Sequence, residues 1–124
     1  MDNIKGETMK NKAKKDKTLK LGIFERLSLP QVLPDKASLE KAIICGDIRD
    51  KIKIKQADIQ RVKLQTLPNG SMQWDETKDK KIIVAFTDLE LEVIISGFKK
   101  MGEEEKFPTD FNFIKMYRMF NELS

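Results

Sequence analysis

Histidine is absent from this 124-residue chain, and Cys45 is its only cysteine. Those two facts exclude Ser-His and Cys-His nucleophiles, an imidazole pH switch, His-bearing zinc sites and four-thiolate metal centres. Chemistry is left to carboxylates, lysines and hydroxyls. Asp88, Glu90 and Glu92 stand close in sequence, but helical geometry spreads them apart. Thr87-Asp88-Leu89-Glu90 also fits a capping box, which gives Glu90 a structural role. Glu103-Glu104-Glu105 reads as a solvated turn. Glu76-Thr77-Lys78 matches the E-x-K fragment of the PD-(D/E)xK nucleases, with Pro34-Asp35 as a candidate other half. That chemistry needs E-x-K on a strand beside the aspartate, whereas Asp75, Glu76 and Lys78 fall in a polar link. No phosphate-binding glycine loop is present. The reading is a non-enzymatic protein with no catalytic residue, cofactor, metal ligand set or evident small-molecule substrate.

The charged side chains point instead to macromolecular partners. Residues 1–20 hold seven lysines against Asp2, Glu7 and Asp16, a balance of +4 that equals the net charge of the whole chain. The remainder is neutral, so a neutral domain carries a basic tail over residues 1–17. With little apolar material, that tail is expected to be flexible when alone. Lys10, Lys12, Lys14, Lys15 and Lys17 are candidate contacts to a nucleic-acid backbone or an acidic protein, while a purely solubilising role is the third possibility.

FIKMYRMF (113–120) interleaves cations with aromatics in the manner of a base-stacking surface. Wrapped on a helix, the pattern separates into two faces. Phe113, Ile114, Met116, Tyr117, Met119, Phe120 and Leu123 span about 220°, and Lys115, Arg118 and Glu122 share one narrow stripe. Base-stacking aromatics must share an accessible surface with phosphate-holding cations, so this is a core face. Its excess width implies either a helix sandwiched within the domain or an edge that meets a partner. Met116, Met119, Phe120 and Leu123 are the candidate interface, for a protein partner or self-association.

The elements that must position these groups follow from periodicity and punctuation. Leu19, Ile23, Phe24 and Leu27 predict a helix over 19–28, stopped by Pro30 and Pro34. Ser38 caps a second helix over 38–50, and KIKIKQADIQ (51–60) is ambiguous between helix and strand. Residues 62–67 and 71–75 read as a hairpin around Pro68-Asn69-Gly70, and Ile82–Phe86 as a strand inside the sheet. A helix over 88–101 stops at Gly102 in the left-handed region, with Leu91, Ile94, Ile95, Phe98 and Met101 as its buried stripe. A last helix covers 109–122. The expected fold is therefore α+β, one domain over 18–124 with a small three-stranded antiparallel sheet packed against helices. No apolar run approaches a membrane span, no export signal is visible, and Cys45 suits a reducing interior as a small core side chain, so the expected location is the cytoplasm.

Phe24-Glu25-Arg26-Leu27 through Leu33-Pro34, the Trp-containing Gln73-Trp74-Asp75, and Ile82–Phe86 followed by Thr87-Asp88-Leu89-Glu90 together resemble small uncharacterised accessory proteins of bacteriophages and mobile elements. The resemblance covers about residues 19–122 and transfers no functional residues; the lysine-rich leader departs from it. It implies an intracellular accessory product that binds a host or phage protein, or a minor virion component, located in host cytoplasm or virion.

Overall fold

The computed structural model describes residues 17–124. It is α+β: five α-helices and two antiparallel sheets of two strands each. In chain order these are β1 (Lys17–Leu21), α1 (Ile23–Ser28), a 3-10 turn (Leu29–Val32), α2 (Leu39–Ile52) and α3 (Gln56–Val62). The short strands β2 (Gln65–Thr66) and β3 (Met72–Gln73) follow, then a 3-10 turn (Glu76–Lys78), β4 (Ile82–Phe86), α4 (Asp88–Glu103) and α5 (Phe111–Leu123).

The expected three-stranded sheet does not form. The hairpin is present, with Gln65 opposite Gln73 and Thr66 opposite Met72, but all of these residues are exposed and offer β4 no apolar face to share. β4 pairs with β1 instead, Lys17 opposite Phe86 and Leu21 opposite Ile82. The start of the expected helix over 19–28 is thus a strand. Thr18-Leu19-Lys20-Leu21 alternates as well as it fits a helix, and pairing with β4 decides for the alternation. Leu21, Val84 and Phe86 face the core and Ile83 is exposed; with β1 as its one partner among the described residues, β4 is an edge and not an interior strand.

Gly22 makes the turn from β1 into α1. A Cβ there would lie 2.5 Å from the Asp79 carboxylate, which accepts a bond from the Ile23 N–H at 3.0 Å, while Glu25 accepts from the Gly22 N–H. The ambiguous segment 51–60 divides: α2 runs on to Ile52, and α3 starts at Gln56. Val62, expected in a strand, closes α3 with no accessible surface, and Lys63 takes the left-handed conformation at its C-cap (φ 56°).

The Thr87 capping box is formed as expected, with Thr87 Oγ1 accepting from the Glu90 N–H at 3.1 Å and Glu90 accepting from the Thr87 N–H at 2.9 Å. α4 continues past Gly102 to Glu103, and the left-handed residue that ends the turn is Glu105 (φ 56°). Asp110 caps α5 by accepting from the Phe113 N–H at 3.1 Å.

One apolar cluster unites the elements, drawing Leu21 from β1, Leu29 and Leu33 from the turn after α1, Cys45 and Ile48 from α2, and Phe86 from β4. α4 contributes Ile94 and Phe98, and α5 contributes Phe113, Met116 and Phe120. α5 lies against α4, β1 and α1 together. On its remaining side the linker folds back, so that Phe107 meets Phe113 at 5.2 Å and Tyr117 at 5.8 Å between ring centroids. The wide apolar arc of α5 is therefore mostly sandwiched within the chain, with Lys115, Arg118 and Glu122 exposed on the remaining stripe.

Candidate functional site

α2 carries apolar residues on opposite sides. At about 100° per residue, Cys45, Ile48 and Ile52 form one face, and Leu39 and Ile43 lie within about 40° of each other on the other. The first face is buried against α4. The second is turned outward: Leu39 is 79% exposed and Ile43 57%. Ala42 and Gly46, also exposed, lower the profile beside them, so that another backbone could approach closely. A Cβ on Gly46 would meet nothing within 4 Å.

Two ionic clusters fix α2 in place. At its C-terminal end the buried Arg26 donates from Nε to the Ile52 carbonyl at 3.1 Å and from Nη2 to the Lys53 carbonyl, a cation set against the negative end of the helix dipole. Nη2 also reaches Asp58 at 3.2 Å, and Arg61 approaches the same carboxylate at 2.7 Å. Hydrogen bonding from Arg61 holds the Asp58 carboxyl below its ordinary range, helped by the Lys55 N–H and Arg26 and opposed by partial burial. In the same last turn, Lys51 Nζ donates to the buried Glu90 carboxylate at 2.7 Å and to the Ala85 carbonyl at 2.8 Å. Glu90 thus serves the α4 cap and the α2 anchor at once. The sequence signalled only the first of these roles, because Lys51 stands 39 residues away.

The residues expected to contact partners are distributed unevenly. Lys10, Lys12, Lys14 and Lys15 lie outside the described residues, as does most of the tail over 1–17. Lys17 is the first residue of β1 and pairs with Asp88 at 3.8 Å. On α5, Met116 and Phe120 have no accessible surface, and Met119 and Leu123 are partly buried against the core. Asp75 caps the short 3-10 turn, and hydrogen bonds from the Thr77 hydroxyl and N–H hold its carboxyl below the usual range. Glu76 and Lys78 are exposed on that turn, which packs on α3, whereas Asp35 lines a groove between residues 31–38 and α4. The nuclease-like fragments therefore sit on separate parts of the surface.

No known protein family, characterised protein or solved structure matches this chain. The geometry must carry the functional reading by itself. Among the described residues no three of the metal-ligating carboxylates and Cys45 come together, and no helix is long and apolar enough to cross a membrane. Cys45 is buried. The groove beside Asp35 has a volume of about 640 Å³ and is floored by Gly97, where a Cβ would lie 2.1 Å from the Val32 carbonyl oxygen. Gly97 is thus a packing requirement that brings the 31–38 segment onto α4. Among the described residues the large apolar side chains left exposed are Leu39 and Ile43 on α2, Met72 on β3, Ile83 on β4, Leu89 on α4 and Phe111 on α5; Leu39 and Ile43 are the two that stand one turn apart on a single helix.

Proposed function

We propose that this protein is a non-enzymatic interaction module whose contact surface is the outward face of α2. The observation that supports it is the pair Leu39 and Ile43, exposed one helical turn apart on a helix anchored at its far end by Arg26 and Lys51. Large apolar side chains set side by side on a rigid helix suit a partner that removes them from water. The charges beside them specify that partner. Glu40 and Asp47 lie exposed on one flank of Ile43. An antiparallel copy of α2 would bring that acidic flank against itself, so the fitting occupant is an amphipathic helix of another protein with Lys or Arg facing Glu40 and Asp47.

The test is binding by the native chain, by Leu39→Asp/Ile43→Asp and by the control Lys115→Ala/Arg118→Ala, using cell extract of the native host and then the purified partner. Loss of at least about 1.4 kcal/mol of binding, tenfold, in the α2 variant alone supports the proposal. Equal binding by both variants overturns it. A dimer of this chain that dissociates in the α2 variant would replace the partner with a second copy. In this reading the protein works in the cytoplasm or within a virion, as an accessory product of the phage type.

A second reading rests on lysine density alone: residues 1–16 serve as an electrostatic arm on nucleic acid. It requires binding that falls steeply with salt and disappears on removal of residues 1–16, a cut that spares Lys17 in β1.

A further inference from the structure

A depression of about 360 Å³ lies where α4, α5 and the linker between them meet. Three rings build it. Phe98 of α4, 1% exposed, stands 6.0 Å from Phe107 of the linker and 5.3 Å from Tyr117 of α5 between ring centroids. Phe107 and Tyr117 are each half-buried, and their planes cross nearly at right angles with centroids 5.8 Å apart. Ile114 adds an aliphatic side. Gly102 leaves one side open, because a Cβ there would meet nothing within 4 Å. A volume of this order with a mostly apolar lining is what small-ligand sites have.

The charged groups of the lining are both cations, Lys99 from α4 and Arg118 from α5, and both are exposed. Each has a carboxylate one turn further along its own helix, Glu103 and Glu122, at a spacing that often gives an ion pair. Neither side chain is paired with it or with any other group among the described residues. Two uncommitted cations from separate helices thus meet at an aromatic depression whose lining holds no acid. From this juxtaposition we infer that the depression binds a small aromatic carboxylate, with its ring against Phe107 and Tyr117 and its carboxylate on Arg118 and Lys99. A further ring extends walls whose rings already meet edge to face, and the guanidinium fork matches the two oxygens of a planar carboxylate. A nucleic-acid strand fits less well, because the exposed Glu103, Glu104 and Glu105 follow Gly102 in sequence and repel a polyanion. The inference is independent of the α2 face: a free acid beside α5 neither needs nor blocks a protein on α2.

The probe is cinnamate, titrated into the 15N-labelled full chain at constant ionic strength. Acetate supplies the charge without the ring, and cinnamyl alcohol the ring without the charge. The expected result is saturable shifts at Lys99, Gly102, Phe107, Ile114, Tyr117 and Arg118 that neither control reproduces at equal concentration. Gly102→Leu keeps the fold, since its side chain enters open space, and by filling the open side it should weaken cinnamate binding about tenfold or more. Lys99→Gln/Arg118→Gln should keep the native spectrum elsewhere, bind cinnamate about tenfold more weakly and lose the preference for it over the alcohol. Non-saturable shifts, equal effects from either control, or unchanged affinity in either variant would overturn the inference.

Discussion

α5 and α2 both carry apolar residues beyond one packing face, yet only α5 has its wide arc from Phe113 to Leu123 covered, Phe111 in its first turn staying exposed. The chain brings α4, β1, α1 and Phe107 around α5, so its wide arc becomes core. α2 is covered by α4 on the side of Cys45 and Ile48, and Leu39 and Ile43 on the other side are exposed among the described residues. An apolar stripe in sequence therefore identifies a surface that must be covered without saying whether the same chain does it. The difference lies in connectivity. The linker before α5 folds back over it through Phe107, whereas among the described residues nothing covers the outer side of α2.

That contrast can be broken most strongly at α5. Phe120 has no accessible surface and meets Phe86 edge-on at 5.3 Å, so Phe120→Ala is expected to cost about 3–5 kcal/mol in urea unfolding. A loss below about 1 kcal/mol would mean that the arc of α5 is not core. Glycines extend the comparison to smaller effects. At Gly97 a methyl group would collide with the Val32 carbonyl, and Gly97→Ala should destabilise by about 1–3 kcal/mol. At Gly46, on the open face of α2, the same change should stabilise by about 0.5–1 kcal/mol, because it restores helix propensity at no steric cost. The opposite signs are read from two thermal melts.

Acid separates the anchors from the faces. The Asp58 carboxyl is depressed in the folded chain, mainly by Arg61, so its contribution is present above the unfolded value of about 3.9 and is lost as pH falls through the folded value. The native chain should therefore lose stability below about pH 4 faster than Asp58→Asn, which has no such proton to take up. Parallel acid-unfolding curves would contradict the anchor. The smallest effect belongs to the open face: Leu39→Ser/Ile43→Ser should change unfolding free energy by no more than about 0.5 kcal/mol. A cost of several kcal/mol would show that those side chains are already packed.

Parts of this architecture were legible before the structure. Thr87 and Glu90 announced the start of α4, Ser38 that of α2, and the alternation of Lys115 and Arg118 with aromatics resolved into an outward stripe and a core face. These features depend on residues a few positions apart. What was hidden depends on distance. The strand over Lys17–Leu21 needs β4, more than 60 residues later, to choose alternation over helix. Arg26 reads as an ordinary helix cation until Ile52, Lys53 and Asp58 converge on it. Likewise, nothing in Leu39 and Ile43 themselves distinguishes them from Ile48 and Ile52; only the placement of α4 decides which pair is buried.

The most direct test of an α2 contact surface is a photo-crosslinking side chain placed at Ile43 in the intact chain, with Arg118 as the control on the exposed stripe of α5, irradiated in cells of the native host. A discrete protein adduct from position 43 and none from position 118 is the expected result. No adduct at 43, or the same adduct at both positions, would contradict it.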